Sequence, residues 1–324
     1  MIARESPACS LVALDNLKRR GSELTLSRLA AAGVEFLHGD VRIEGDLAAL
    51  GAVDFLIECS AEPSVLAGQD GAPGYVLDTN LTGALNYLEH LRRRGGEMIF
   101  LSSSRVYSIP ALTDLPLEVR GERLEITEGA AGTGWSAAAI AENFSTAGPR
   151  SLCGATKLAA EQFIEEYQAA YGLRPVVYQC GILTGPWQMG KVDQGVITLW
   201  LARHLFGGAL AYIGHGGDGH QVRDLLHIAD LYDLIAPNLD GSGTEDGQTF
   251  NVGGGAATSV SLRELTRHCE ELTGNTLVIS TVPETRANDI GYYVTDNAKV
   301  ETRTGWWPKR TLEETMMREI IEAL

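Results

Sequence analysis

Short apolar runs alternate with amphipathic stretches along the first half of the chain, and this rhythm restricts the fold more than any other feature. Residues 11–16, 34–38, 54–60 and 97–102 read as strands. Residues 22–32, about 75–93 and 151–171 read as helices, and 174–183 as a further strand. Alternation at this spacing builds βαβ units, which assemble as a parallel, doubly wound sheet in an α/β fold. From 108 to 150 the pattern dissolves into Ala, Gly, Ser, Pro and Glu, too long for a plain connection, so a functional loop or lid is expected there. After Gly185 the rhythm changes. The expected division is a cofactor-binding region over 1–185 and a smaller lobe, mainly substrate-binding, over 186–324, with some segments returning to the core. Ser261 with Glu264, and Thr311 with Glu314, have capping-box spacing.

Composition narrows the function. Net charge is −16, which argues against a duplex-binding surface. No apolar run approaches the ~18 residues of a membrane span. Five cysteines without paired spacing fit a reducing cytoplasm and no structural zinc, so no metal is expected. An anionic substrate would need a locally positive pocket in this acidic chain.

Strand ends carry the next signal. Asp15 closes the first strand, where an acidic residue in dinucleotide folds binds the adenosine ribose and disfavours a 2′-phosphate. A plain turn aspartate is the other reading of that residue alone. Gly39-Asp40-Val41-Arg42 ends the next strand and Cys59-Ser60-Ala61-Glu62-Pro63 the one after. All three lie at the carboxyl edge, where ligands bind. Lys18, Arg19 and Arg20 could accept a 2′-phosphate, but Asp15 would repel it, so NAD is expected. The glycine fingerprint belongs roughly 20 residues before such an aspartate. Only 14 residues precede Asp15, and Met1–Ser10 contains no glycine. Gly253-Gly254-Gly255 lies far downstream, opening onto the wrong element. The expectation is therefore a chain lacking the first strand and its glycine-rich turn, encoded upstream, with 11–16 beside a gap in the sheet.

Two further motifs make a resemblance specific. Leu101-Ser102-Ser103-Ser104-Arg105-Val106-Tyr107 follows a strand, and Ser151-Leu152-Cys153-Gly154-Ala155-Thr156-Lys157 opens a helix. Together with Gln221-Val222-Arg223-Asp224-Leu225-Leu226-His227 and Arg286-Ala287-Asn288-Asp289, they resemble the extended short-chain dehydrogenases/reductases of the NAD-dependent epimerase/dehydratase family. The segment Cys180 to Gly195 looks like that of CDP-paratose (tyvelose) 2-epimerase-like proteins. The resemblance implies a Rossmann-type fold, NAD, a nucleotide-sugar substrate and a homodimer. It implies catalytic positions at Ser103, Cys153 and Lys157. It implies cofactor contacts at Asp15, Asn16, Asp40, Val41, Ser60, Ala61, Asn80 and Lys157. Substrate contacts are implied at Ser104, Thr184, Gln194, Arg223 and Arg286, the two arginines facing the diphosphate.

The family's motif is Tyr-x-x-x-Lys, and here Lys157 matches while position 153 is cysteine. Residues four apart share a helix face. In the family the lysine lowers the tyrosine pKa and holds the nicotinamide ribose, while the phenolate takes a hydroxyl proton as hydride leaves. A thiol sulfur lies one bond beyond the β-carbon and does not reach where a phenolic oxygen does, though a bridging water could compensate in part. Two other readings stay open: a 4-epimerase or 4,6-dehydratase, and a non-catalytic relic that binds a sugar nucleotide. A dehydratase adds an acidic pair beside the serine, where this chain has Ser104-Arg105.

Overall fold

A computed structural model describes residues 1–5, 9–69, 71–190, 194–241, 243 and 247–324. Three members of the 180–195 motif, residues 191–193, lie outside the described residues, as does the Glu314 side chain of the second expected capping box.

The alternation folds as its period dictates. Strand β1 is Val12–Asp15, β2 is Glu35–His38, β3 is Phe55–Glu58 and β4 is Glu97–Ser103, with helical segments between successive strands. A parallel four-stranded sheet runs Gln248–Val252, Pro175–Cys180, β4, β3. Strands β1 and β2 pair in parallel, Val12 opposite Glu35 through Asp15 opposite His38. Among the described residues β1 pairs only with β2, and β3 only with β4. The doubly wound sheet is thus in two pieces, each with one strand edge not paired to the other piece. Strand Gln248–Val252 returns from the second half of the chain to complete the larger piece.

Two helices cover one face. The first runs from Gly74 to Arg94 through a wider turn at Asp78–Thr82. The second, Leu152–Tyr171, starts where Ser151 Oγ accepts the Gly154 N–H and stops at Gly172, whose φ of 71° is cheap only for glycine. Its buried stripe, Cys153, Thr156, Lys157, Ala160, Glu161 and Ile164, keeps helical spacing. Ala160 and Ile164 join Leu88, Leu91, Met98 and Phe100 in the core. Lys157 and Glu161 lie in the same stripe and are buried as polar groups, which sheet partners must satisfy.

Segment 108–150, expected as a functional loop or lid, has secondary structure of its own. It holds the helix Ile109–Thr113, the hairpin Leu117–Arg120 with Arg123–Ile126, and a small second hairpin. Leu112, Leu115, Ile126, Ile140 and Phe144 are buried with Tyr107 and Tyr293 in one core cluster. Single apolar residues carry much of this packing, and only the first hairpin, Leu117-Glu118-Val119-Arg120 with Arg123-Leu124-Glu125-Ile126, shows the two-residue alternation of a strand. The remaining chain forms a lobe around Val222–His227, which pairs with Ile182–Thr184, Ser259–Ser261 and Tyr292–Tyr293. The Ser261/Glu264 capping box is present and starts the helix Leu262–Thr273.

Candidate functional site

The carboxyl ends of β3 and β4 meet the first turns of Leu152–Tyr171, and the family-type positions gather there. Ser103 ends β4, and its Oγ accepts the Arg105 N–H at 3.1 Å, capping a short turn. That turn packs against Gly154 so closely that a Cβ there would sit 2.1 Å from the Arg105 carbonyl oxygen. Cys153 is 5% exposed. Burial pushes its thiol pKa up, against the pull of Lys157 and Arg105. Lys157 Nζ is 2.8 Å from Glu58 Oε2 and 4.2 Å from the centre of the Phe100 ring. Both ends of this ion pair are buried. Ser60 Oγ donates to the other Glu58 oxygen at 2.6 Å.

One turn further along the helix, a second buried carboxylate anchors a polar chain. Ser102 Oγ donates to Glu161, and Gln179 Nε2 donates to it at 2.9 Å. Tyr107 OH lies 2.9 Å from Gln179 Oε1 and 2.7 Å from Asn251 Oδ1. Burial raises the Glu161 pKa to about 7, with the Ser102 and Gln179 hydrogen bonds pulling the other way. Gln179 links Glu161 to Tyr107.

The expected cofactor residues divide into open and engaged groups. Asp15 is exposed at the end of β1, with Oδ1 accepting the Leu17 N–H at 2.6 Å. Asp40 is gripped by both Nε and Nη2 of Arg42, at 2.8 and 2.6 Å, and by Asn16 Nδ2 at 3.1 Å. The Arg42 hydrogen bond leads in holding its carboxyl well below the usual range. Val41 is a core residue against Gly83. Asn80 clamps the turn after β3: its Oδ1 accepts the Glu62 N–H at 2.7 Å and its Nδ2 reaches the Glu62 carbonyl and Thr156 Oγ1. Ala61 sits half-buried in that turn. Lys18 lies 3.1 Å over the Tyr75 ring. Of these positions, the exposed Asp15 carboxylate and the Lys157 ammonium are the groups that could meet ribose hydroxyls of NAD. The ammonium, however, is already held by Glu58.

Beside Ser103 opens a cavity of about 620 Å³. Ser103, Ser104, Gln194, Arg223 and Arg286 line it; Thr184, whose Oγ1 faces Gln188 Oε1, is not among its walls. Arg223 donates to Asp289 Oδ1 at 3.1 Å and to the Val222 carbonyl at 2.7 Å. Burial lowers its pKa to about 10, against the Asp289 charge. The Arg286 side chain has no hydrogen bond or ion pair among the described residues. His227 accepts the Ala229 N–H and caps a helix.

Sequence reasoning missed Glu58, Glu161 and Arg105. Arg105 was visible inside its motif, and Glu58 sat in an apolar run where a carboxylate is out of place, whereas Glu161 looked like any glutamate of an amphipathic helix. What these positions could not reveal was their partner.

The sequence profile of the NAD dependent epimerase/dehydratase family matches residues 4–253. The chain is 26% identical to the CDP-paratose 2-epimerase of Salmonella typhi, over 97% of this chain and 91% of that one. It is 24% identical to a UDP-glucose 4-epimerase of Corynebacterium glutamicum, over 90% and 81%. Among solved structures, a dTDP-glucose 4,6-dehydratase from Streptomyces venezuelae with NAD bound superposes at a TM-score of 0.77 and 25% identity, over 98% of this chain and 88% of that one. No helix among the described residues is long and apolar enough to cross a membrane.

Proposed function

The chain belongs to the NAD-dependent epimerase/dehydratase family, and from that premise we propose that it binds a nucleotide sugar in the arginine-lined cavity, as a CDP-sugar 2-epimerase-like protein whose chemical step is crippled at position 153. The supporting observation is the meeting of Ser103 with Arg223 and Arg286 in one cavity, at the end of a strand flanked by Cys153 and Lys157. Guanidinium groups grip diphosphate oxygens bidentately, and a half-buried pair of them suits that ligand better than a lysine cluster would.

NAD, when bound, supplies the removal and return of a hydride. The rest falls to this chain. Asp15 can accept the adenosine ribose hydroxyls, and Ser103 Oγ can orient a sugar hydroxyl. Proton transfer needs a group at position 153 that is both ionised and within reach. A buried thiol with a raised pKa, one bond from its β-carbon, satisfies neither condition.

The test is product NMR on the full chain with NAD and a panel of CDP-sugars. Negligible epimerisation is expected, with turnover rising by about 10²–10⁴-fold in Cys153→Tyr. Turnover by the Cys153 form within a few-fold of the tyrosine form would sink this reading. Measured affinity for CDP-sugars over sugar-free CDP tests the binding half separately. The 4,6-dehydratase alternative is disfavoured by Arg105, which stands where those enzymes place an acidic pair.

A further inference from the structure

Outside the cavity, one cluster is built from the side chains that bind transition metals. The helix Leu262–Thr273 carries His268 and Glu271, three residues apart and so on one face. Glu313 meets them from the segment Leu312–Met317. Among the described residues these three are the one group of histidine, cysteine and carboxylate side chains whose ligand atoms converge: one atom from each lies within 4.8 Å of the others. The fold presets this meeting without help from the polar groups. Leu312, Met316 and Met317 are buried with Leu265 and Cys269 in one core cluster, which holds the two elements together.

Two observations separate this cluster from an ordinary ion pair. His268 Nδ1 is buried and makes no hydrogen bond among the described residues. Glu313 Oε1 is in close contact with it but out of line for an N–H bond, and Glu271 Oε2, at 3.9 Å, is beyond hydrogen-bond reach. An imidazolium would hold a carboxylate in line with its N–H. A metal ion takes that line itself, along the nitrogen lone pair, and leaves the carboxylates to the side. The second observation is charge. Two carboxylates side by side repel, and the arginine beside them serves only one. Arg267 Nη1 donates to Glu271 Oε1 at 3.3 Å, while its Nε goes to Glu122. Glu313 has no lysine or arginine partner among the described residues.

We propose that His268, Glu271 and Glu313 bind a divalent transition metal ion of the zinc class. The proposal is independent of the nucleotide-sugar reading. An imidazole nitrogen with carboxylate oxygens suits zinc and its neighbours, whereas magnesium and calcium prefer oxygen alone. Zinc holds such ligands at about 2.0–2.2 Å, which puts them roughly 3–4 Å from one another, close to the present spacing. Three protein ligands leave the remaining coordination to water. The cysteine spacing that argued against a structural zinc bears only on thiolate sites. The ion ties the segment Leu312–Met317 to the helix Leu262–Thr273, whose Leu265 also lines the cavity. Its role is to brace the lobe that carries the cavity, away from the reacting groups.

The experiment is calorimetric titration of the untagged full chain, stripped with EDTA, with zinc chloride and separately with magnesium chloride. Stoichiometric zinc binding is expected, with a rise in unfolding temperature as zinc is added. His268→Gln and Glu313→Gln each remove one ligand, and each should weaken zinc by at least about tenfold, a loss that changes behind the ligands already cause. Both should also lose the zinc-dependent stabilisation while unfolding as the parent chain does in EDTA. Glu122→Gln, which removes a carboxylate beside Arg267 but none from the cluster, should bind zinc unchanged. Cobalt in place of zinc supplies a second readout, since its visible absorption follows the ligand set and should change in His268→Gln. No stoichiometric zinc binding by the parent chain overturns the proposal and leaves the cluster an ion pair held by a proton. Zinc binding unchanged in His268→Gln and Glu313→Gln overturns it too, because the ion then sits elsewhere. Magnesium binding as tight as zinc binding overturns the assignment to a transition metal.

Discussion

Removing the Glu58 charge should destabilise the fold far more than a surface ion pair would. The Glu58 and Lys157 side chains are 2% and 5% exposed, and their charged atoms lie 2.8 Å apart. The pair joins the end of β3 to the helix Leu152–Tyr171. Breaking a buried pair leaves the survivor desolvated and unpaired, at a cost of about 3–5 kcal/mol, whereas exposed pairs are worth about 0–1 kcal/mol. Glutamine at 58 can still accept from Ser60 Oγ and from the ammonium, so Glu58→Gln is expected near the lower bound, about 3 kcal/mol. That is a large share of the ~5–15 kcal/mol by which domains are stable. The assay is urea unfolding followed by circular dichroism, with the same series run on Lys157→Met and on Glu58→Leu/Lys157→Met. Apolar replacement of both partners can be close to neutral. The double variant should therefore be more stable than Glu58→Gln or Lys157→Met alone. A loss under about 1 kcal/mol in Glu58→Gln, or a double variant no better than the worse single one, would refute the claim that this is a dry, mutually dependent pair.

Glu161 predicts a pH dependence. Its folded pKa of about 7 lies above the ordinary 4.5, so the folded state binds the proton more tightly, and stability falls as pH rises from about 4.5 through 7. Glu161→Gln should flatten that slope in denaturation curves taken between pH 5 and 8; an unchanged slope would mean the carboxyl is not what titrates. Gly154→Ala would place a methyl 2.1 Å from the Arg105 carbonyl oxygen, a contact with backbone that cannot swing away. A loss of about 1–3 kcal/mol in thermal or urea unfolding is expected, and a neutral variant would show that the turn can shift. Assembly is testable through the outer face of the helix Leu152–Tyr171, where Phe163 and Tyr171 are 42% and 57% exposed. A homodimer is expected by sedimentation at micromolar concentration, with Phe163→Glu shifting it to monomer; a monomeric parent chain would refute this.

The local signals were legible because they obey short-range rules. The 3.6-residue and two-residue periods placed the helices and strands, and the Ser261/Glu264 spacing placed a cap that the structure reproduces. Position 153, one helical turn before Lys157, was singled out by the resemblance to the Tyr-x-x-x-Lys motif, and the structure puts both residues in one buried stripe of the helix. Segment 108–150 was harder to read because, outside the short alternation at 117–126, its buried residues come singly, and they join a cluster with Val222, Ile290 and Tyr293 from distant segments.

Sequence by itself determined the α/β class, since strand–helix alternation follows from short-range periodicity; the expected Ser103, Cys153 and Lys157 positions came from a resemblance of motifs, not from period or spacing. Tertiary structure alone decided what each charge faces. Glu58 meets Lys157 across 99 residues, and Arg223 meets Asp289 across 66. Electrostatic energy depends on distance in space and on burial, neither of which is written in sequence separation. That Arg19, Arg105, Arg203, Arg223 and Arg286 line one cavity in an acidic chain is likewise visible only in the folded form.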